Sequence, residues 1–519
     1  MNEFRYRAAP SPTGKVHIGT IRAYLPNYLL AKKYGGKNIL RVEDTDQTRL
    51  VPNGVEAMIE AYENVGIEFD EGPHKPGKYG PYVQSERLDI YKKYADELVE
   101  KGHAYYCFCS KERLEKLRED QKANKLKPMY DGLCRDIPVE EAKKKVANGE
   151  SHVIRMRFPN EGVTVSEDIV YGKVSVKNSD VEDQILMKAD GFPTYHLAVV
   201  VDDHLMEITT AIRGDDWLPS YPKHVKLYEM FGWKPPKFAH LPMILNPDGR
   251  KKLSKRHGAF PVSQILRKGY LKEAIMNYAL LCGWAPRPEM AHQDEIYMPD
   301  ELIQLFDLDR VHRTAARYDQ KKFDYINSKH IRRLSIEELV ERVFVWAQKY
   351  VLGEFISDSY TEPAQWESSL KVIINRYLSK WKDNIDLFKK ALLLEQDRIV
   401  TLSDIPYALD FFYEDEVSWE ESDWNTKNHD KKELASALEN ILPKLEEIFK
   451  EDNFDHDEWE KVVRGHADEL GWKHGDLFLA IRSATTGRLQ SPPLLECYEI
   501  MGWEKVKVFI LQAINWLRL

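Results

Sequence analysis

The chain has 519 residues and a formal charge of −9, and a length of this order divides into roughly three to five domains. It is 43% hydrophobic and 31% charged, as in an ordinary globular protein, and any polyanionic partner would have to meet local basic surfaces on an acidic whole. No apolar run approaches the roughly 18 to 20 residues of a membrane helix, and five cysteines exclude a disulfide framework.

Residues Met1 to Arg7 lack the apolar core of a signal peptide, so the expected setting is a reducing cytoplasm without membrane attachment. Phe4 to Ala8 reads as a strand stopped by Pro10-Ser11-Pro12-Thr13-Gly14. A helix is predicted from Ile18 to Tyr34, with Pro26 inside it, then Gly35-Gly36 and a second strand over Ile39-Leu40-Arg41-Val42. This βαβ order implies a parallel sheet covered by helices. Leu88, Tyr91, Ala95 and Leu98 recur at helical spacing, with Ser85 as the expected N-cap and Gly102 closing the helix.

From about His152 the texture becomes that of antiparallel strands, over Val153–Phe158 and Val170–Val176. Residues 85–190 therefore read as an α+β module inserted into the first fold. The apolar run Leu197 to Val201 reads as a buried parallel strand ending in Asp202-Asp203-His204, which would orient substrate or brace the sheet. Ile208 to Ile212 is a further strand, and from about Leu271 the chain is helical. In the last helix Val506, Phe509, Ile510, Ala513, Ile514 and Leu517 make one apolar face.

Three constellations carry chemistry. The first is the turn from Pro10 to Thr20, where Gly14, His17 and Gly19 stand between a strand and a helix. A helix entered through such a turn offers backbone N–H groups and a positive dipole end to phosphate. The plain alternative is an ordinary βα loop. The second is Asn246 to His257, a turn signal followed by five cations in residues 250–256. It reads either as a solvated basic patch or as a loop that closes on a triphosphate. The third is Cys107 and Cys109, followed after a gap by Cys134. Two thiolates at i and i+2 on a strand face, with Cys134 and either Tyr130 or Asp136, complete a tetrahedron for zinc. Three packed cysteines are the alternative.

Taken together, His17-Ile18-Gly19-Thr20 and Lys252-Leu253-Ser254-Lys255-Arg256 resemble, in that order, the two signatures of class I aminoacyl-tRNA synthetases. Thr20 stands where the first signature has its second histidine. Longer strings resemble the bacterial-type glutamyl-tRNA synthetases: Arg7 to Gly14, Arg41 to Asp46, Pro193 to Leu197 and Val201 to His204, with Ala484 to Gly487 and Ser491-Pro492 downstream.

The resemblance implies a Rossmann-like catalytic domain in two halves (1–84 and 191–270). It also implies an inserted module (85–190) that binds the acceptor stem, a stem-contact helical region (271–330) and helical anticodon-binding domains (331–519). Implied substrates and partners are ATP with Mg2+, L-glutamate and tRNA(Glu), with structural zinc, in a cytoplasmic monomer. Gly14, His17, Gly19, Lys252, Ser254, Lys255 and Arg256 would serve ATP. Arg7, Ser11, Glu43, Tyr195 and Arg213 would hold glutamate, the two arginines gripping its side-chain carboxylate. Arg398, Arg482 and Ser491 would stand near the anticodon bases.

Overall fold

The computed structural model describes residues 3–253, 260–360, 363–424, 428–449 and 455–519. The chain forms two compact units. One comprises Met1–Ile265, Lys272–Ile326 and Phe355–Glu362, and the other Leu266–Leu271, Asn327–Glu354 and Pro363–Leu519.

In the first unit β1 (Arg5–Ala8) runs through the proline-rich turn into α1 (Ile18–Tyr34), a helix with the predicted bounds. Pro26 lies buried inside α1, and nothing in the structure explains why a proline stands there. A Cβ on Gly36 would meet the Phe4 carbonyl oxygen at 2.3 Å, so a glycine is needed where α1 turns into β2 (Lys37–Leu40). There follow α2 (Gly54–Asn64), α3 (Leu88–Glu100), β3 (Ala104–Cys107), α4 (Lys111–Ala123), α5 (Val139–Ala147), β4 (Val153–Met156), β5 (Val163–Asp168), β6 (Gly172–Lys177) and β7 (Ile185–Met187). Next come α6 (Tyr195–Leu205), β8 (Thr210–Gly214), α7 (Tyr221–Phe231) and β9 (Lys237–Leu241).

The main sheet has the order β2-β1-β8-β9-β5-β6, parallel except for β6, which pairs antiparallel with β5. Strands β3, β4 and β7 make a separate antiparallel sheet. The β5–β6 hairpin thus comes from within residues 85–190 yet completes the edge of the first sheet. One apolar core joins α3, α6 and α7 to β8 and β9 through Tyr91, Leu98, Leu197, Val200, Ala211, Leu227 and Phe238.

Two expectations are corrected. Leu197 to Val201 is not a strand but the middle of α6, and β8 pairs directly with β1. The helix is buried from Leu197 through Asp203, so a continuous apolar run carries no 3.6-residue period to reveal it. Ser85 does not cap α3. It sits in a short 3₁₀ turn (Gln84–Arg87), and its N–H donates to Asp44 Oδ1 at 2.8 Å.

Helices dominate the second unit. Lys431–Ile448 packs along Trp503–Arg518, whose buried face contains the six apolar residues predicted for it together with Trp503.

Candidate active site

The two phosphate-loop candidates meet in the first unit. His17 forms an antiparallel bridge with Pro261, and the Val262 N–H donates to the Val16 carbonyl at 2.9 Å. On the other side of the basic segment Lys252 bridges Leu245. His17, Gly19, Thr20, Arg22, Tyr24, Lys252 and Leu253 line one cleft of about 250 Å³. Ser254, Lys255 and Arg256 lie outside the described residues.

His17 is the N-cap of α1, its Nδ1 accepting the Thr20 N–H at 3.3 Å. A neutral ring that accepts at Nδ1 carries its proton on Nε2, where it can donate to an anion. A Cβ on Gly19 would come within 3.0 Å of that ring, so glycine lets the imidazole lie over the first helical turn. Gly14 is not brought to this cleft. It lines a separate small cavity with Lys15, Val16, Phe355, Ser357 and Tyr360.

Beside the cleft is a buried charge cluster at the carboxyl ends of β1, β2 and β8. Arg7 gives Nε and Nη2 to the two oxygens of Asp203, at 3.1 and 3.2 Å, and Nη1 to the Ile212 carbonyl at 2.9 Å. Arg41 donates to Asp203 at 2.6 Å and to Glu43 at 3.1 Å. Asp202 accepts from Arg87, Gln84 and Tyr91, so the Asp-Asp pair of α6 braces the sheet.

Burial would raise the Asp203 carboxyl, but Arg7 and Arg41 hold it below its ordinary value. Burial pushes the Glu43 carboxyl up against the pull of Arg41 and Arg7. Arg213 donates to the Tyr195 hydroxyl at 3.1 Å, and its Nη2, fully buried, has no acceptor among the described residues. Trp217 packs on Tyr195 with ring centroids 4.0 Å apart. Ser11 is exposed in the turn, next to Pro10, whose carbonyl accepts the Glu43 N–H at 3.0 Å.

Thus Arg7, Glu43, Tyr195 and Arg213 come together as predicted. His224, His240 and Trp217 belong to the same cluster, although their spacing in the sequence gives no signal, and Arg41 joins it from inside a string that does carry one.

The three thiols converge, with their sulfur atoms within 4.8 Å of one another. Cys109 and Cys134 are 3.6 Å apart, against the roughly 3.8 Å of two thiolates on one tetrahedral zinc. The Tyr130 hydroxyl lies 3.5 Å from Cys107 Sγ and 3.6 Å from Cys109 Sγ. Asp136 is exposed and turned to Arg157 at 3.3 Å, outside the cluster. β3 ends at Cys107, so Cys109 sits on the segment beyond the strand and not on its face.

In the second unit Arg398 and Arg482, distant in sequence, meet at one residue. Arg398 Nη1 donates to the Ser491 carbonyl at 3.0 Å and Arg482 Nε to the Ser491 hydroxyl at 3.1 Å.

Comparison with known proteins agrees with this geometry. Residues 3–325 match the family model for the catalytic domain of class I tRNA synthetases (E and Q), and residues 365–513 match an anticodon binding domain. A glutamate–tRNA ligase of Treponema denticola is 40% identical, the alignment covering 99% of each chain. One from Alkaliphilus metalliredigens is 41% identical over 98% of each. Among solved structures, a glutamate–tRNA ligase of Elizabethkingia meningosepticum in complex with its amino acid superposes with a TM-score of 0.80 at 32% identity, covering 99% of this chain and all of that one. The chain belongs to the glutamate–tRNA ligase family of class I tRNA synthetases.

Proposed function

We propose that the chain joins L-glutamate to tRNA(Glu) in two steps. The glutamate α-carboxylate attacks the α-phosphate of ATP and pyrophosphate leaves. The glutamyl group then passes to the 2′-hydroxyl of the terminal adenosine.

The observation that carries this reading is the open guanidinium of Arg213 in the buried cluster. Arg7 and Arg41 are bonded to Asp203 and Glu43, and Asp202 is answered by Arg87. Among the described residues Arg213 has no carboxylate bonded to it, and Asp168 reaches it only through His240. Glutamate carries one net negative charge, and glutamine carries none. Arg213 Nη2 offers the side-chain carboxylate a charge-assisted hydrogen bond. Arg7 is engaged by Asp203 and Ile212, so it contributes its charge more than a second open fork. Glu43 answers the ammonium, and the Ser11 and Tyr195 hydroxyls complete the pocket.

ATP occupies the cleft beside His17 and Gly19. His17, Lys252, Ser254, Lys255 and Arg256 stabilise the charge that builds on pyrophosphate, with Gly14 supporting the turn, and no side-chain base is required. Magnesium arrives with the nucleotide and neutralises part of its charge. Residues 85–190 serve the acceptor stem, with zinc held by Cys107, Cys109 and Cys134, and Tyr130 favoured over Asp136 as fourth ligand. Residues 1–84 and 191–270 form the catalytic domain, 271–330 touch the stem, and 331–519 read the anticodon through Arg482, Ser491 and Arg398. The enzyme works in the cytoplasm as a monomer.

The test is charging of purified tRNAs for glutamate and for glutamine, each with both amino acids. Glutamate should be used at roughly 30- to 1000-fold higher kcat/KM than glutamine, the effect of one buried polar mismatch of about 2 to 4 kcal/mol. Equal use of glutamine removes the reading.

A further inference from the structure

Arg213 is held by groups that are not carboxylates. Its Nε donates to His240 Nε2 at 3.0 Å, and its Nη1 donates to His224 Nδ1 at 2.8 Å. A guanidinium can only donate, so both facing ring nitrogens are acceptors and neither ring is an imidazolium. The remaining nitrogens fix the tautomers. His240 Nδ1 donates to Asp168 Oδ2 at 2.7 Å, and His224 Nε2 donates to His196 Nδ1 at 3.0 Å. Asp168 is itself fixed by the N–H groups of Val170 and Tyr171. Burial, with Arg213 close by, keeps both His224 and His240 below the ordinary imidazole value.

Four other buried arginines are paired with carboxylates, whereas Arg22 is held by the Cys282 carbonyl at 2.9 Å. Arg5 pairs with Glu71, Arg7 with Asp203, Arg41 with Asp203 and Glu43, and Arg87 with Asp202. A carboxylate at position 224 would meet the same N–H of Arg213 equally well, but it would cancel the charge.

We infer that His224 and His240 are specificity-determining positioning residues: as neutral acceptors they fix the Arg213 guanidinium with Nη2 open and no carboxylate bonded to it, so that the pocket selects an anionic side chain over an amide. The inference rests on the glutamate reading of this pocket.

It is tested by kcat and KM for glutamate and glutamine, with tRNA present, in wild type, His224→Asn, His224→Asp and Arg213→Gln. Asparagine and aspartate have the same shape, and both place an oxygen where Nδ1 was. His224→Asn should keep the glutamate-to-glutamine ratio within about threefold of wild type, whereas His224→Asp should lower it by about tenfold or more through the KM for glutamate, with the KM for ATP unmoved. Equal ratios in the Asn and Asp variants overturn the inference. If Arg213→Gln leaves glutamate kinetics untouched, the pocket reading itself fails. If Arg213→Gln is damaging while the two position-224 variants agree, only the role of the histidines fails. Should either variant not fold, the wild-type protein decides. With 15N-labelled histidine at pH 7, His224 should show a proton on Nε2 alone and His240 on Nδ1 alone, and an imidazolium signal from either overturns the inference.

Discussion

Asp203 is the acceptor on which two buried guanidiniums converge, and its removal strands charge in a medium that tolerates it badly. Asp203→Asn should destabilise the first unit by about 3 to 5 kcal/mol, read as a lower denaturation midpoint. Because the folded-state pKa of Asp203 is depressed, the stabilisation is complete above its unfolded value of about 4 and is lost as pH falls through the lower folded value. The difference between wild type and Asp203→Asn should therefore be constant from pH 5 to 8 and close below about pH 4. A gap that closes at pH 6 instead would assign the effect to another group. His17 gives a second prediction at this scale. His17→Asn keeps an N-cap acceptor for Thr20 but loses Nε2, so stability should hold while adenylate formation falls about 100-fold. Wild-type turnover in that variant would take His17 out of the chemistry. That Arg7, Glu43 and Arg213 meet was expected from the family resemblance and from their places at strand ends. His224 and His240 were not, since each is a lone ring whose partner, Arg213, is 11 or 27 residues away in sequence and adjacent only once the sheet has formed.

Among the elements, α1 was readable between the proline-rich turn and its glycine stop, and the last helix from its six-residue face. Helix α6 was not, because burial on all sides erases the periodic signal and a Val-Val-Val run favours a strand by propensity. A strand over Val170–Val176 was legible and corresponds to β6, but its partner β5 was not, and Val153–Met156 pairs with β3 and β7, so the β5–β6 hairpin was missed. Its place on the edge of the first sheet rests on the pairing of Asp168 with Phe238, which no local pattern announces. The cysteine cluster sits where β3 ends and α4 begins, with Ser110 capping α4. If it holds zinc, purified protein should contain about one zinc per chain, and chelation should unfold residues 104–158 at a lower temperature than the main sheet. Cys107→Ser should reproduce that loss. Elemental analysis without zinc, and thiols that titrate freely in native protein, would leave three packed cysteines.

Across the whole molecule, the chain leaves the first unit after Ile326 and returns to it over Phe355–Glu362, a return that no local pattern in residues 327–362 announces. That return segment is tied down by the Ile356 N–H donating to Glu60 Oε2 at 2.9 Å, and it lines the cavity next to Gly14, Lys15 and Val16. A fragment ending at residue 330 should therefore lose tRNA affinity and also bind ATP roughly tenfold more weakly, the effect of about 1.4 kcal/mol lost beneath the phosphate turn. Calorimetry giving full ATP affinity in that fragment would show that the segment does not support the turn. The same return segment sets an order of events during synthesis. The first unit's last stretch leaves the ribosome 36 residues after Ile326, a delay of roughly two to seven seconds at ordinary elongation rates. Until then the nascent sheet stands with the flank of its phosphate turn uncovered, so pausing within 327–362 would lengthen the interval in which a growing chain is open to proteases and to its neighbours.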